Sequence, residues 1–134
     1  MSPEVFRRTR TIVPGDVDEL GHVNNVRWLA FVGELAAAHA VMHGSDLAAL
    51  RAQGALWIVR RHELDYHRPA LPGEEIVEET WVEKMTGAKS ERHSRFTRAS
   101  DGAPLGYASG GASWRRRRPR SSPRRAGALR RRRG

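Results

Sequence analysis

Residues 16–43, DVDELGHVNNVRWLAFVGELAAAHAVMH, constrain the fold of this chain more than any other stretch. A polar loop dense in reactive side chains runs straight into a stretch of helical spacing that is apolar on nearly every side. Asp16, Asp18, Glu19, His22, Asn24 and Asn25 crowd the loop, with Gly15 and Gly21 as its flexible points. From about Val26 the residues Leu29, Ala30, Val32, Leu35, Ala36, Ala37, Ala38, Ala40, Val41 and Met42 cover nearly every direction of the helical wheel. A helix apolar all round is expected to be buried on most sides. Asn24 and Asn25 suit the N-cap, and Gly44 suits the left-handed position past the helix end. The expected picture is a buried helix whose first free N–H groups face acid, imidazole and amide side chains. Such a helix end stabilises developing negative charge.

The rest of the chain reads as strands. VFRRTRTIV, residues 5–13, is rich enough in β-branched residues for a first strand, ended by Pro14-Gly15. Asp46–Gln53 reads as a short second helix capped by Ser45 and closed by Gly54. ALWIVRRHELDYHRP is a long strand stopped at Pro69, with Leu56, Ile58, Leu64 and Tyr66 on one face. Its other face takes Trp57, Val59, Arg61, Glu63 and Asp65. EIVEETWVEKM, the polar KSERHSRFTRAS and PLGYASGGASW follow as three more strands, the last two joined at Asp101-Gly102, a strong hairpin signal. Four strands in series after a buried helix give an α+β fold, an antiparallel sheet of about five strands curled around one long helix.

A chain of 134 residues is one domain with a single core. It has no cysteine, which excludes a disulfide framework and a thiolate metal site. The first ten residues carry no apolar run after their charges, and no stretch approaches the about 20 apolar residues of a membrane span. A cytoplasmic protein with no membrane partner is the expectation. The net charge of +9 is unevenly placed. Residues 115–134 hold eleven of the 24 basic residues and no acid, leaving 1–114 with thirteen basic against fifteen acidic residues. We therefore divide the chain into a folded domain, 1–114, and an Arg-rich tail, 115–134, without an apolar pattern that could fold. The tail is expected to be disordered and to touch nucleic acid only non-specifically. Its abrupt switch to Arg, Pro, Ser, Ala and Gly is what a reading-frame change in a GC-rich coding sequence produces.

The string G-D-V-D-x-x-G-H-V-N-N-x-x-W, followed by a small-residue-rich helix with Glu34, resembles the hotdog-fold acyl-CoA thioesterases. Their hydroxybenzoyl-CoA thioesterase-like branch is the best match, with plant acyl-carrier-protein thioesterases more distant. The resemblance is sharp over residues 5–43, continues in register to about Trp114 and stops before the tail. It implies the hotdog topology, in which the curled sheet wraps the central helix, and assembly as a homodimer or homotetramer. It also implies hydrolysis of an acyl-CoA to free acid and CoA without metal or cofactor.

Carried over residue by residue, Asp18 matches the second acid of the family's D-x-D element, the general base or nucleophile. Without the resemblance it reads equally as a turn or helix cap. The N–H groups around Asn25 and Val26 become the carbonyl polariser. His22, an imidazole able to move a proton near neutral pH, matches a functional histidine of the plant relatives, whose accompanying Asn is replaced here by Leu20. Asn24 and Asn25 serve equally as caps or as substrate contacts. Arg60, Arg61 and Arg68 are the candidate cations for the CoA phosphates, with Arg61 central among them. Glu34 and Arg27, two turns apart on one helix side, are expected to form a structural ion pair.

Other polar residues carry less. His39 and His43 have a metal-compatible spacing of four, but no carboxylate is interposed and the helix should be buried, so no metal is expected. His62, His67 and His93 read as solvated strand residues. Ser109 and Ser113 lack the setting of a hydrolase nucleophile, and the glycines at 102, 106, 110 and 111 do not form a phosphate loop. Two further functions compete: a non-catalytic hotdog module that binds acyl or aromatic thioesters, and a basic-tailed nucleic-acid binder.

Overall fold

The structure, a computed structural model, describes residues 4–42, 55–86 and 89–116. In chain order it forms β1 (Phe6–Thr11), a 3-10 turn at Pro14–Asp16 and α1 (Asn25–Met42). Then come β2 (Ala55–Tyr66), β3 (Glu75–Thr86), β4 (Lys89–Arg98) and β5 (Pro104–Arg116). All five expected strands and the central helix are present. The expected second helix at 46–53 lies outside the described residues, as do Gly44, His43 and the tail from residue 117. β5 itself continues through Arg115 and Arg116, paired with Leu56 and Ala55. No described helix is long and apolar enough to cross a membrane.

The five strands make one antiparallel sheet in the order β1-β3-β4-β5-β2. The helical crossover therefore carries the chain from one edge strand, β1, to the opposite edge, β2. Between them β3, β4 and β5 form a meander. Its β4–β5 turn is the one announced by Asp101-Gly102: Gly102 takes φ +72 and the Arg98 N–H bonds the Ala103 carbonyl at 2.9 Å.

The sheet curls around α1, which buries Trp28, Phe31, Val32, Leu35 and His39. Trp28 meets Phe31 and Phe96 edge-on, at 5.5 and 5.3 Å between ring centres. Ile12, Ile76 and Leu105 close the core around them. Edge-to-face rings of this kind add roughly 0.5–1.5 kcal/mol to the burial of their area.

Three features depart from expectation. First, α1 is not buried on most sides: Val26, Leu29 and Val41 are 79%, 42% and 59% exposed. One helix over one sheet can cover only one stripe of the cylinder, so the remaining apolar residues face outward. Secondly, β2 does not alternate along its whole length. A register shift between Val59 and Arg61 leaves Arg60 without a Cα partner, and beyond it the parity of inward positions changes. Val59 and His62 consequently border the same interior space. A bulge adds one residue to one strand, and period-two reading cannot detect it. Thirdly, the helix-facing side of β3 holds a fully buried carboxylate, Glu78. Arg8 Nε and Arg10 Nε donate to its two oxygens at 2.7 and 2.8 Å, which is how a charge survives in a core.

Candidate active site

The loop before α1 is held closed by its own backbone. Val17 and Val23 form an antiparallel bridge. The Asp18 N–H bonds the His22 carbonyl at 3.1 Å, and the Gly21 N–H bonds the Asp18 carbonyl at 3.0 Å. The turn needs φ +84 at Gly21, a conformation open to glycine at no steric cost. At the far end of the loop Asn24 is the helix cap. Its Oδ1 accepts the Arg27 N–H at 2.8 Å, and its carbonyl accepts the Trp28 N–H at 3.1 Å. That leaves the backbone N–H groups of Asn25 and Val26 with no acceptor among the described residues. A helix start ordinarily leaves such donors, and they point outward along the axis.

The two loop aspartates have separate surroundings. Asp16 is buried; its Oδ2 accepts the Val13 N–H at 3.0 Å and its Oδ1 accepts Arg27 Nε at 2.7 Å. Burial pulls its pKa upward, but the Val13 N–H and the Arg27 guanidinium outweigh burial and hold the carboxyl below its ordinary value of 3.8. Asp18 is half-buried, and its Oδ1 accepts the Leu20 N–H at 2.9 Å. Its Oδ2 has no hydrogen-bond partner among the described residues. Arg27 reaches on to Glu34 at 3.3 Å, where Arg10 also binds at 2.8 Å. The expected Arg27–Glu34 pair is thus one link in a chain of ion pairs running from Asp16 to Glu78.

His22 and Asn25 border a cleft of about 240 Å³ whose other wall is the end of β2, with Tyr66, His67, Arg68 and Pro69. The three candidate cations of β2 and its end are therefore separated. Arg68 borders this cleft, whereas Arg61 pairs with Glu63 at 2.6 Å and borders neither the cleft nor the interior cavity. Arg60 donates to Ser113 at 3.4 Å. His67, expected on a solvated face, is exposed, but on the wall of the cleft. His93 departs further from that reading. It is half-buried, stacks on Trp81 at 5.8 Å and hydrogen-bonds the Tyr107 hydroxyl. Neighbours on adjacent strands, invisible to a single-strand reading, put it there. His39 is buried against Phe6, with ring centres 5.2 Å apart, and touches Arg92.

A loop carboxylate beside a capped helix start, under a five-stranded sheet curled on that helix, invites comparison with known proteins. The model of the thioesterase-like superfamily matches residues 12–112. The chain belongs to this superfamily. Its fold is the hotdog fold, as in a 1,4-dihydroxy-2-naphthoyl-CoA thioesterase from Synechocystis. That structure aligns with TM-score 0.78 and 16% identity over 92% of this chain and 94% of its own. An acyl-ACP thioesterase from Bacteroides thetaiotaomicron aligns with TM-score 0.78 and 21% identity, over 88% of this chain and 49% of its own. A hypothetical protein from Staphylococcus aureus, solved in complex with CoA, gives TM-score 0.80 and 13% identity over 96% and 82%. A search of curated proteins finds no match. The membership agrees with the resemblance carried by residues 5–43 to the hydroxybenzoyl-CoA thioesterase-like branch.

Proposed function

We propose that the protein hydrolyses acyl-CoA thioesters to the free acid and CoA, with no metal or cofactor. The observation that supports this best is the pair of N–H groups at Asn25 and Val26, left without acceptors among the described residues at the start of an 18-residue helix and adjoining the loop of Asp18. In this reading the thioester carbonyl oxygen accepts from those two donors, which gain strength as it becomes an oxyanion. Asp18 Oδ2 takes a proton from a water that attacks the carbonyl carbon. The C–S bond then breaks, CoA leaves as its thiolate, and the proton held by Asp18 returns to the sulfur. His22 orients the thioester from the cleft wall, Asn24 holds the helix start in place, and Arg68 meets the CoA phosphates in preference to Arg61, which is engaged by Glu63. Two copies complete the site: the outer edge of β2 and the exposed stripe of α1 both lack partners among the described residues.

Free-thiol release from a panel of acyl-CoAs tests the reading directly, and the absence of cysteine keeps a thiol dye free of background. Release that is lost in Asp18→Asn supports it. Tight acyl-CoA binding with no release by the wild type would replace it with the thioester-binding module.

A further inference from the structure

A cavity of about 590 Å³ lies between the later part of α1 and the sheet, away from the cleft at the helix start. This volume falls within the roughly 300–1,000 Å³ typical of ligand sites. Val32, Ala36 and Ala40 form its apolar helix wall, and Ala108, Gly110 and Ala112 of β5 lie opposite. Among the described lining residues there is one arginine, Arg92 of β4. Its Nη1 donates to Thr80 Oγ1 at 3.1 Å and contacts His39 Nδ1 at 2.9 Å. No carboxylate pairs with it, and its Nε and Nη2 have no hydrogen-bond partner, among the described residues. The buried carboxylate on the same face of the sheet, Glu78, is already taken by Arg8 and Arg10. Burial lowers the pKa of Arg92, yet a guanidinium stays charged at neutral pH.

A charge half-removed from water and left without a counter-ion is costly, and the cost falls when an anion arrives. The planar fork of a guanidinium matches the two oxygens of a carboxylate, with two parallel N–H···O bonds. A phosphate dianion would call for a second strong cation, which the described lining lacks. Apolar walls around one such fork select a ligand that is apolar along its body and carboxylate at one end. We propose that this cavity binds an apolar carboxylate, anchored by Nε and Nη2 of Arg92.

Such a carboxylate has two sources, a free fatty acid or the far end of an acyl group that is itself a thioester substrate. The second rests on the thioesterase reading and sets a length. His39, which touches Arg92, lies fourteen residues beyond Asn25, about 21 Å along the helix at about 1.5 Å per residue. A thioester held at the start of the same helix reaches Arg92 only through a long chain.

Calorimetric titration of the full chain with decanoate and with decanol isolates the charge at constant length. The acid is expected to bind about 10- to 100-fold more tightly, the range of a charge-assisted pair. Arg92→Met should abolish that difference, and Ala36→Phe, which fills the cavity and leaves Arg92 in place, should abolish binding of both ligands. Equal binding of acid and alcohol, or an acid preference that survives Arg92→Met, overturns the proposal. Should Arg92→Met fail to fold by circular dichroism, unchanged acid binding by Ala36→Phe overturns it instead. Thiol release from hexadecanedioyl-CoA and hexadecanoyl-CoA then separates the sources. A preference of about tenfold for the former, lost in Arg92→Met, assigns the carboxylate to the substrate. Selective binding of free acid without that preference assigns it to a free fatty acid. Absence of thiol release from every thioester would overturn the thioesterase reading and leave the titration result standing.

Discussion

Asp16 and Asp18 sit two residues apart in one loop, and their surroundings separate their roles. Asp16 is buried and committed to Val13 and Arg27, whereas Asp18 keeps one oxygen free of protein partners among the described residues. Asp18→Asn is therefore expected to lower hydrolysis by at least about 10²-fold with an unchanged melting temperature, because the amide keeps the shape and loses the basicity. Asp16→Asn should do the opposite, with a smaller fall in turnover and a clear loss of stability, about 1–3 kcal/mol by denaturant titration. Since folding lowers the Asp16 pKa, its ion pair stabilises the protein fully above the ordinary value of 3.8 and loses that contribution as pH falls through the folded value. Melting curves of the wild type against Asp16→Asn should thus converge as pH drops below about 4. A stability gap that persists unchanged at pH 3 would show that the charge of Asp16 is irrelevant to the fold.

At the scale of elements, α1 is placed by its cap and by one buried stripe. Asn24→Ala removes the bond to the Arg27 N–H and should cost about 1 kcal/mol, measurable by thermal melting. It should also slow turnover, because the same cap aims the N–H groups of Asn25 and Val26. The pairing of β2 with β5 has its own fixed point. A Cβ on Gly110 would meet the Arg61 carbonyl oxygen at 2.8 Å, and backbone cannot step aside as a side-chain end can. Gly110→Ala is expected to destabilise the domain by about 1–3 kcal/mol, the usual cost of overpacking. Gly33→Ala, at the cavity wall of α1 with nothing within 4 Å of the added Cβ, should be neutral or slightly stabilising. Equal melting temperatures for the two variants would show that the β2–β5 approach is looser than the backbone positions give.

At the scale of the whole molecule, two surfaces are left open among the described residues. β2 is a 12-residue edge strand, and long unpaired edges tend to find partners. Val26, Leu29 and Val41 add an apolar stripe on the helix. Light scattering at micromolar concentration is expected to give a dimer or tetramer, and Leu29→Glu should shift it toward monomer with loss of turnover. An active wild-type monomer would refute this. Removing residues 117–134, which begin beyond β5, should leave the melting temperature unchanged and cut retention on DNA or anionic resin. Such retention falls steeply with salt. Loss of folding on truncation would make the tail part of the domain.

Much of this is legible in the chain itself. The loop-to-helix string carried the superfamily, and the cap at Asn24, the five strands and the Asp101-Gly102 turn were readable as well. These are local properties, set by periodicity, capping and turn chemistry over a few neighbouring residues. Other features depend on residues far apart in sequence. Which face of α1 is covered follows from the sheet around it, and the exposed stripe could not be told from the buried one by hydropathy alone. The bulge beside Arg60 needed the partner strand β5 to reveal it. Asp16 and Asp18 are alike in sequence; they differ because Arg27, in the first turn of α1, claims the first. Arg92 lies in a strand that reads as polar and exposed. Only His39 across the core and Thr80 on the adjacent strand β3 draw its guanidinium into an apolar cavity. Distances between strands and helix, not side-chain types, decide where a charge is left without a partner.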